Sequence, residues 1–125
     1  MAENYQFPHE KLQVWHSARA LAKMVYDKIA AFPKHEQFGL TSQLRRSSVS
    51  VMSNLAEGSG RTSARDQAHF SQMAYGSLLE LDAQFQLSVD LGFLDAYGYE
   101  EVRAMIDDLA VKISALRTSQ VNRCK

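Results

Sequence analysis

The sequence predicts an all-α protein, an antiparallel up-down-up-down four-helix bundle. Apolar residues recur at steps of three and four in four separate stretches, which is the period of helices buried on one face. The chain contains only two prolines, so each stretch can form a long uninterrupted helix. Short links between the stretches favour antiparallel neighbours. We expect one domain over residues 1–125, with helices at about 8–32, 39–57, 63–91 and 99–119.

The first predicted helix begins around Pro8 and ends before Pro33. Proline is tolerated in a first turn, where its missing N–H would have no partner. Pro33 disfavours helical geometry at Phe32, the residue before it. The apolar stripe between these two points comprises Leu12, Trp15, Ala18, Ala22, Val25, Ile29 and Phe32.

The second predicted helix carries two faces. Its apolar face comprises Leu40, Leu44, Ser48, Val51 and Leu55. Its polar face comprises Gln43, Arg46, Ser47, Ser50, Asn54, Glu57 and Arg61. Gly58 is predicted to stop the helix in the left-handed conformation, which glycine enters without a Cβ penalty.

The third and fourth helices have recognisable ends. Ser63 is predicted to cap the third helix, with Asp66 three residues later as a capping partner, and Gly92 to end it. The fourth helix is predicted to begin near Tyr99 and to fray beyond Val121. The apolar stripes are Phe70, Ala74, Leu78, Leu81 and Phe85 in the third helix, and Val102, Ile106, Leu109, Ile113 and Leu116 in the fourth.

Charge and composition narrow the classes of protein. The net charge is zero, but residues 66–108 are strongly acidic whereas residues 34–65 and 109–125 are basic. This pattern fits complementary faces within a bundle or between subunits better than a dedicated nucleic-acid binder, which is usually basic overall. No apolar run approaches the roughly 20 residues that span a bilayer, and the start lacks a signal-peptide pattern. With Cys124 as the single cysteine, we expect a cytoplasmic protein.

Catalytic and metal-binding patterns are weak. A di-iron bundle needs Glu-x-x-His pairs, and the nearest match is Asp66 with His69 in a first turn, where capping is the simpler interpretation. Gly58-Ser59-Gly60 is too short for a phosphate loop and lacks the following lysine. No serine stands in a nucleophile elbow. We therefore expect no enzymatic activity, no cofactor, no metal and no small-molecule substrate.

Polar residues beside the apolar stripes suggest a structural network between the second and third helices. The expected members are Gln43, Asn54, Glu57, Ser77 and Glu80. Arg45, Arg46 or Arg61 could pair with Glu57 or Glu80, because buried charges need partners. The alternative is that both polar lines face solvent.

The chain resembles a bacterial four-helix-bundle family. It includes proteins encoded within intervening sequences of 23S ribosomal RNA genes (S23-like), and the accessory variability determinant proteins of diversity-generating retroelements are its relatives. The resemblance spans about Phe7 to Leu116. It rests on Leu12-Gln13-Val14-Trp15, Phe32-Pro33 with Glu36 and Phe38, Gln43-Leu44-Arg45-Arg46-Ser47, Ser53-Asn54-Leu55-Ala56-Glu57-Gly58, Phe70 and Gly76-Ser77-Leu78-Leu79-Glu80-Leu81.

This resemblance implies an antiparallel bundle that assembles into a ring-shaped homopentamer, with no established enzymatic activity. It implies nucleic-acid binding only for the retroelement branch, whose members are strongly basic. This chain differs from that branch in its zero net charge and its acidic third helix.

Two functional hypotheses follow. The first is a non-enzymatic cytosolic homo-oligomer, the pentamer that the resemblance implies, that acts as a scaffold or interaction protein. It rests on apolar residues outside the main stripes, too many for one core to cover: Val14, Leu21, Val49, Met52, Tyr75, Leu79 and Val111. The alternative is an RNA- or DNA-binding accessory protein that contacts phosphates through Arg45, Arg46, Arg61 and Arg65.

Overall fold

The computed structural model describes residues 5–124 and contains four long helices. They are α1 (Gln13–Ile29), α2 (Leu40–Ser59), α3 (Ala64–Asp90) and α4 (Ala96–Arg123). Short 3₁₀ turns at Pro8–Lys11 and Lys34–Glu36 precede α1 and α2. No strand occurs within residues 5–124, so the predicted all-α class is confirmed.

Each helix packs beside its two neighbours in the order α1, α2, α3, α4, and α4 closes the square against α1. Lys28 bonds Glu101 at 2.8 Å while Ser17 bonds Lys112 at 3.1 Å, so α1 and α4 run in opposite directions. The same reversal relates α2 to α3 and α3 to α4. The side-chain hydrogen bonds that show this reversal join Ser47 to Gln84, Ser50 to Ser77, Asp82 to Tyr99, and Gln72 to Arg117.

The core contains most residues of the predicted stripes of all four helices. Leu12, Trp15, Leu40 and Leu116 are partly buried at its edge, and Phe70 lies outside it. Its fully buried large side chains are Leu21, Val25, Leu44, Val51, Leu78, Leu81, Phe85, Val102, Leu109 and Ile113. Val14 and Leu21, which the sequence placed beside the main stripe of α1, are also buried. The apolar surface left for a partner is therefore smaller than the sequence suggested.

The first helix is shorter than predicted at both ends. Leu12 adopts an extended conformation that separates the 3₁₀ turn from α1. The helix ends at Ile29 because the chain turns ahead of Pro33, and Phe32 then packs into the core with 7% exposure.

Gly58 corrects the predicted end of α2. It lies inside the helix and is buried, and the left-handed conformation occurs within residues 5–124 only at Gly92, with φ of 78°. The helix continues to Ser59, and Gly60 caps it in a right-handed conformation. Gly92, in contrast, follows the end of α3 as the sequence predicts.

Serine and aspartate caps set the starts of α3 and α4. The Ser63 hydroxyl accepts a bond from the Asp66 N–H at 3.1 Å, which confirms the predicted cap. The Asp95 carboxylate accepts from the Gly98 N–H at 2.7 Å, so α4 starts at Ala96, three residues earlier than predicted. α4 also extends past the predicted end at Ser119 to Arg123.

Glu36 caps α2 from outside the helix. Its Oε1 atom accepts a bond from the Leu40 N–H at 3.0 Å. A Cβ atom on Gly39 would stand 2.8 Å from the same oxygen, so a side chain there would shift the Glu36 carboxylate away from its present position. None of the helices in the described part of the chain is long and apolar enough to cross a membrane.

Candidate functional site

A polar seam joins α2 to α3 along one side of the bundle. It comprises Ser47, Ser50 and Asn54 on α2 with Ser77, Glu80 and Gln84 on α3. The Ser47 hydroxyl donates to Gln84 Oε1 at 2.9 Å, and the Gln84 amide donates to Glu80 Oε1 at 3.1 Å. The Ser47–Gln84 bond is partly buried and joins the two closely packed helices, whereas the Gln84–Glu80 bond is exposed and lies within α3.

A second chain of bonds in the polar seam runs through Ser50. Its hydroxyl contacts the Ser77 hydroxyl at 2.8 Å. The Asn54 amide donates to the Ser50 carbonyl at 2.9 Å and to its hydroxyl at 3.1 Å. Three predicted network residues, Asn54, Ser77 and Glu80, therefore lie in the polar seam, together with serines and a glutamine.

Gln43 and Glu57, the other two predicted members, lie on the surface. Both are exposed, and neither makes a side-chain hydrogen bond to another residue in the range 5–124. No arginine of α2 forms an ion pair with Glu57 or Glu80 among the described residues. Apart from Glu80, which accepts from Gln84, the side chains that bond one another in the polar seam within one chain are uncharged.

The four candidate arginines form two separate pairs. Arg45 and Arg46 lie near the start of α2, and Arg45 donates to the Gln37 carbonyl at 3.4 Å. Arg61 and Arg65 lie at the other end, where the Arg61 guanidinium stands 4.6 Å from the centre of the Phe70 ring. Fifteen residues separate Arg46 from Arg61, or roughly 22 Å along a helix. One chain therefore offers two small cationic sites rather than one continuous patch.

A basic groove lies between α1 and α2. It is lined by Tyr26, Ser42, Arg45, Arg46, Val49 and Ser50. Tyr26 and Val49 are 47% and 39% exposed, so the groove has an apolar part beside two cations. No acidic residue lines it. The sequence suggested Arg45, Arg46 and Val49, but Tyr26 was missed because nothing in the α1 pattern marks which side faces α2.

A leucine ridge runs along the outer side of α3. It comprises Gly76, Leu79, Ala83 and Leu87, at successive steps of three, four and four. Leu79 is 56% exposed and Leu87 47% exposed. A Cβ atom on Gly76 would meet nothing within 4 Å, so the packing of this chain does not require glycine there. Residues at this spacing share one helical face, which makes the leucine ridge a continuous exposed apolar strip.

A charged cluster connects α3 with α4 on the adjoining side. The Tyr99 hydroxyl donates to Asp82 at 2.7 Å and accepts from Arg103 at 2.9 Å, while Arg103 also binds Asp107 at 2.6 Å. Burial, followed by the hydrogen bond to Asp82, raises the pKa of Tyr99 above its ordinary value. The hydrogen bond to Asp107 raises the pKa of Arg103. Every member has a partner, so the cluster stabilises the packing of the two helices.

The residues considered for metal binding do not gather into a site. Within residues 5–124, no three histidine, cysteine, aspartate or glutamate side chains are grouped so as to hold a metal ion. Asp66 serves the first turn of α3 through its backbone N–H, and the His69 ring lies edge-on to Phe70 with 6.0 Å between ring centres. The surfaces described above are therefore the candidate sites of action.

Comparison with known proteins places this fold. The family model of the 23S rRNA-intervening sequence proteins matches residues 10–115. A crystal structure from Bacteroides thetaiotaomicron VPI-5482, that of a protein with unknown function from the S23 ribosomal protein family, is similar with a TM-score of 0.73. The match covers 82% of this chain and 97% of that chain, at 18% identity, so it bears on the fold alone. The curated proteins gave no match. Since the family model covers most of the sequence, the chain belongs to the family of 23S rRNA-intervening sequence proteins.

Proposed function

We propose that the protein is a non-enzymatic, cytoplasmic scaffold or interaction protein that works as a homo-oligomer, with five copies in a ring. The leucine ridge is the observation that carries this proposal. Exposed apolar strips of this kind mark surfaces that associate, because isolated chains leave such area in contact with water at a cost.

The composition of the leucine ridge supports association. Leu79 and Leu87 lie two turns apart with only Ala83 between them on that face, so no charged side chain interrupts the strip. Glycine within a helix destabilises it by roughly 0.5–1 kcal/mol relative to alanine. Gly76 carries that cost, and no close contact in its own chain requires a glycine there. A partner whose backbone approaches α3 closely would supply such a contact.

The proposal contains no catalytic step. The polar groups of the seam and of the Tyr99 cluster bond to one another, whereas a reactive site needs a nucleophile or base held beside a place for substrate. Neither comparison names an enzymatic activity.

Light scattering behind a sizing column tests the assembly directly. The expected mass is roughly 70 kDa, five times the 14.1 kDa of one chain. Leu79→Ser with Leu87→Ser should lower this mass with the helical circular dichroism unchanged. Val111→Ser is the matched control, since Val111 is 71% exposed but lies on α4. A 14.1 kDa parent at micromolar concentration overturns the proposal, whereas a dimer or tetramer overturns only the pentamer.

RNA or DNA binding is the second candidate function. The favouring observation is that Arg46, Arg61 and Arg65 are exposed, and a ring would repeat them around its axis. Each neutralised phosphate of duplex DNA adds a slope of about −0.9 to the dependence of log affinity on log salt. Titration with RNA and with duplex DNA at two ionic strengths measures that slope. Absence of binding at low salt would eliminate this candidate, and a flat salt response would remove its electrostatic basis.

A further inference from the structure

We infer that the assembly is head to tail: the leucine ridge of one copy docks into the basic groove of the next. This inference rests on the proposed homo-oligomer and names the two surfaces that form its interface. It commits to a second copy of this chain as the occupant of the basic groove.

The shapes of the two surfaces fit each other. The leucine ridge projects from a single helix, and the basic groove lies between two helices, where Tyr26 and Val49 leave apolar area exposed. A helix that lays its apolar face into a groove uses side chains spaced at three and four residues, as Leu79, Ala83 and Leu87 are. The small Gly76 and Ala83 would let the backbone of α3 approach the groove closely.

The charges of the two surfaces are opposite. Glu80 lies beside the leucine ridge, next to Leu79 in the chain, and Asp90 continues the face of the ridge one turn beyond Leu87; both are exposed. Arg45 and Arg46 line the basic groove, and the exposed Lys23 lies one turn before Tyr26 on α1. None of these five side chains has an ion-pair partner within residues 5–124. Glu80 accepts a hydrogen bond from Gln84, and Arg45 donates one to the Gln37 carbonyl, but these neutral partners leave both side chains charged. The five charges can therefore face opposite charges on a second copy, and complementary potentials of this kind select partner and orientation.

The positions of the surfaces favour a ring. The basic groove opens between α1 and α2, while the leucine ridge projects from α3, so less than half a turn about the bundle axis separates them. Two different surfaces that meet head to tail form a heterologous contact, which closes into a ring when the rotation between copies fits. A ridge-to-ridge pair of parallel α3 helices would instead bring Glu80 and Asp90 near their own copies, and like charges oppose that arrangement.

Charge reversal tests the inference. The groove variant carries Lys23→Glu and Arg46→Glu, and the ridge variant carries Glu80→Lys and Asp90→Lys. Each alone should raise the protein concentration needed for half-assembly by at least about tenfold, since juxtaposed like charges cost several kcal/mol. The chain with all four changes should assemble again, and an equimolar mixture of the two variants should form larger species that neither forms alone.

The control is a third pair, Glu100→Lys with Asp108→Lys, on the outer side of α4. It changes the net charge as much as the ridge variant does and should leave the mass of the parent unchanged. Circular dichroism establishes whether each variant folds. If one variant is unfolded, the chain with all four changes and the parent still test the inference. The assembly of the parent should weaken in high salt, because salt screens the contacts between opposite charges.

The outcomes separate the two claims. A monomeric parent refutes the proposed function, and this inference with it. An oligomeric parent whose mass survives both reversals refutes the inference and leaves the proposed function standing. Loss of assembly in the ridge variant alone would indicate a symmetric ridge contact, and failure of the four-change chain to recover would show that the two surfaces do not meet.

Discussion

Gly58 on α2 lies directly against Phe70 on α3. A Cβ atom built on Gly58 would stand 2.6 Å from the Cβ of Phe70, closer than side-chain carbons approach in folded proteins. The same phenyl ring receives the guanidinium of Arg61 on its face. The absence of a side chain at Gly58 thus allows α2 and α3 to meet at the end where the chain turns from one to the other.

Gly58→Ala should destabilise the fold. Alanine gains about 1 kcal/mol of helix propensity over glycine, but overpacking a tight contact costs about 1–3 kcal/mol. The Phe70 Cβ is tied to its backbone and cannot swing away, so we expect a net loss on the order of 1 kcal/mol. Urea unfolding followed by circular dichroism measures it, at one fixed protein concentration because assembly couples to stability.

Gly76→Ala is the matched control for that experiment. Its Cβ meets open space, so the propensity gain should appear as a stabilisation of about 0.5–1 kcal/mol under conditions where parent and variant have the same mass. Equal changes in the free energy of unfolding for Gly58→Ala and Gly76→Ala would show that the contact with Phe70 does not determine whether the alanine stabilises or destabilises the fold.

Helix periodicity predicted most of this fold because the apolar stripes are regular and the links are short. The resemblance to the 23S rRNA-intervening sequence proteins is confirmed by the family match. The predicted end of α2 was wrong because a glycine can either end a helix or allow another helix to approach closely. Only the neighbouring residue, here Phe70, distinguishes these two roles. The start of α4 was missed because glycine usually breaks a helix, and Gly98 was therefore placed before it. In the structure Gly98 lies in the first turn, where its N–H donates to the Asp95 carboxylate that caps the helix.

The candidate surfaces were harder to predict than the fold. The sequence showed that α2 and α3 carry polar lines, but not that Ser47 would bond Gln84 or that Glu57 would stay on the surface. Such pairings depend on how far one helix is shifted along the other. The basic groove likewise depends on which side of α1 meets α2, and periodicity does not specify that side.

Asn54→Ala should destabilise the protein more than Glu57→Ala. The Asn54 amide donates two bonds to Ser50 in the partly buried polar seam, and each such bond contributes about 0.5–1.5 kcal/mol. We expect a loss of about 1–2 kcal/mol for Asn54→Ala. The exposed Glu57 has no partner in its own described chain, so its truncation should change stability by less than about 1 kcal/mol.

Urea unfolding of both variants at fixed protein concentration makes this comparison. A loss of about 3–5 kcal/mol for Glu57→Ala would mean that its carboxylate is paired and buried. If such a loss grew on dilution, with smaller species appearing, the pairing would lie between subunits. Equal small losses in both variants would show that the polar seam adds little to stability.

Tyr99→Phe should flatten the fall in stability at alkaline pH. The pKa of Tyr99 is raised in the folded state, so its neutral form stabilises the fold below the ordinary tyrosine pKa near 10. That stabilisation is lost as the pH rises through the higher folded-state pKa, because ionisation then becomes favourable in the unfolded chain first. The free energy of unfolding of the parent should therefore decline more steeply above pH 10 than that of Tyr99→Phe.

Unfolding in urea at pH 8, 10 and 11 measures how the free energy of unfolding changes with pH in each protein. The other four tyrosines and the lysines are common to both proteins, so the difference between them isolates Tyr99. At pH 8 the variant should lose about 1–2 kcal/mol, since the hydroxyl bonds two charged groups at a partly exposed position. Parallel slopes would contradict a raised pKa at Tyr99.

Glu36→Ala and Glu36→Gln should separate the two contributions of this residue to the start of α2. Its carboxylate oxygen accepts from the Leu40 N–H and places a negative charge at the positive end of the helix dipole. Glutamine can keep the hydrogen bond and loses only the charge, worth about 0.3–1 kcal/mol, whereas alanine loses both, for a total of about 1–2 kcal/mol. Urea unfolding at low and high salt distinguishes them, because salt screens the charge contribution and should narrow the gap between parent and Glu36→Gln. Alanine and glutamine variants of equal stability would show that the hydrogen bond to Leu40 does not hold the helix start, and that the charge alone acts there.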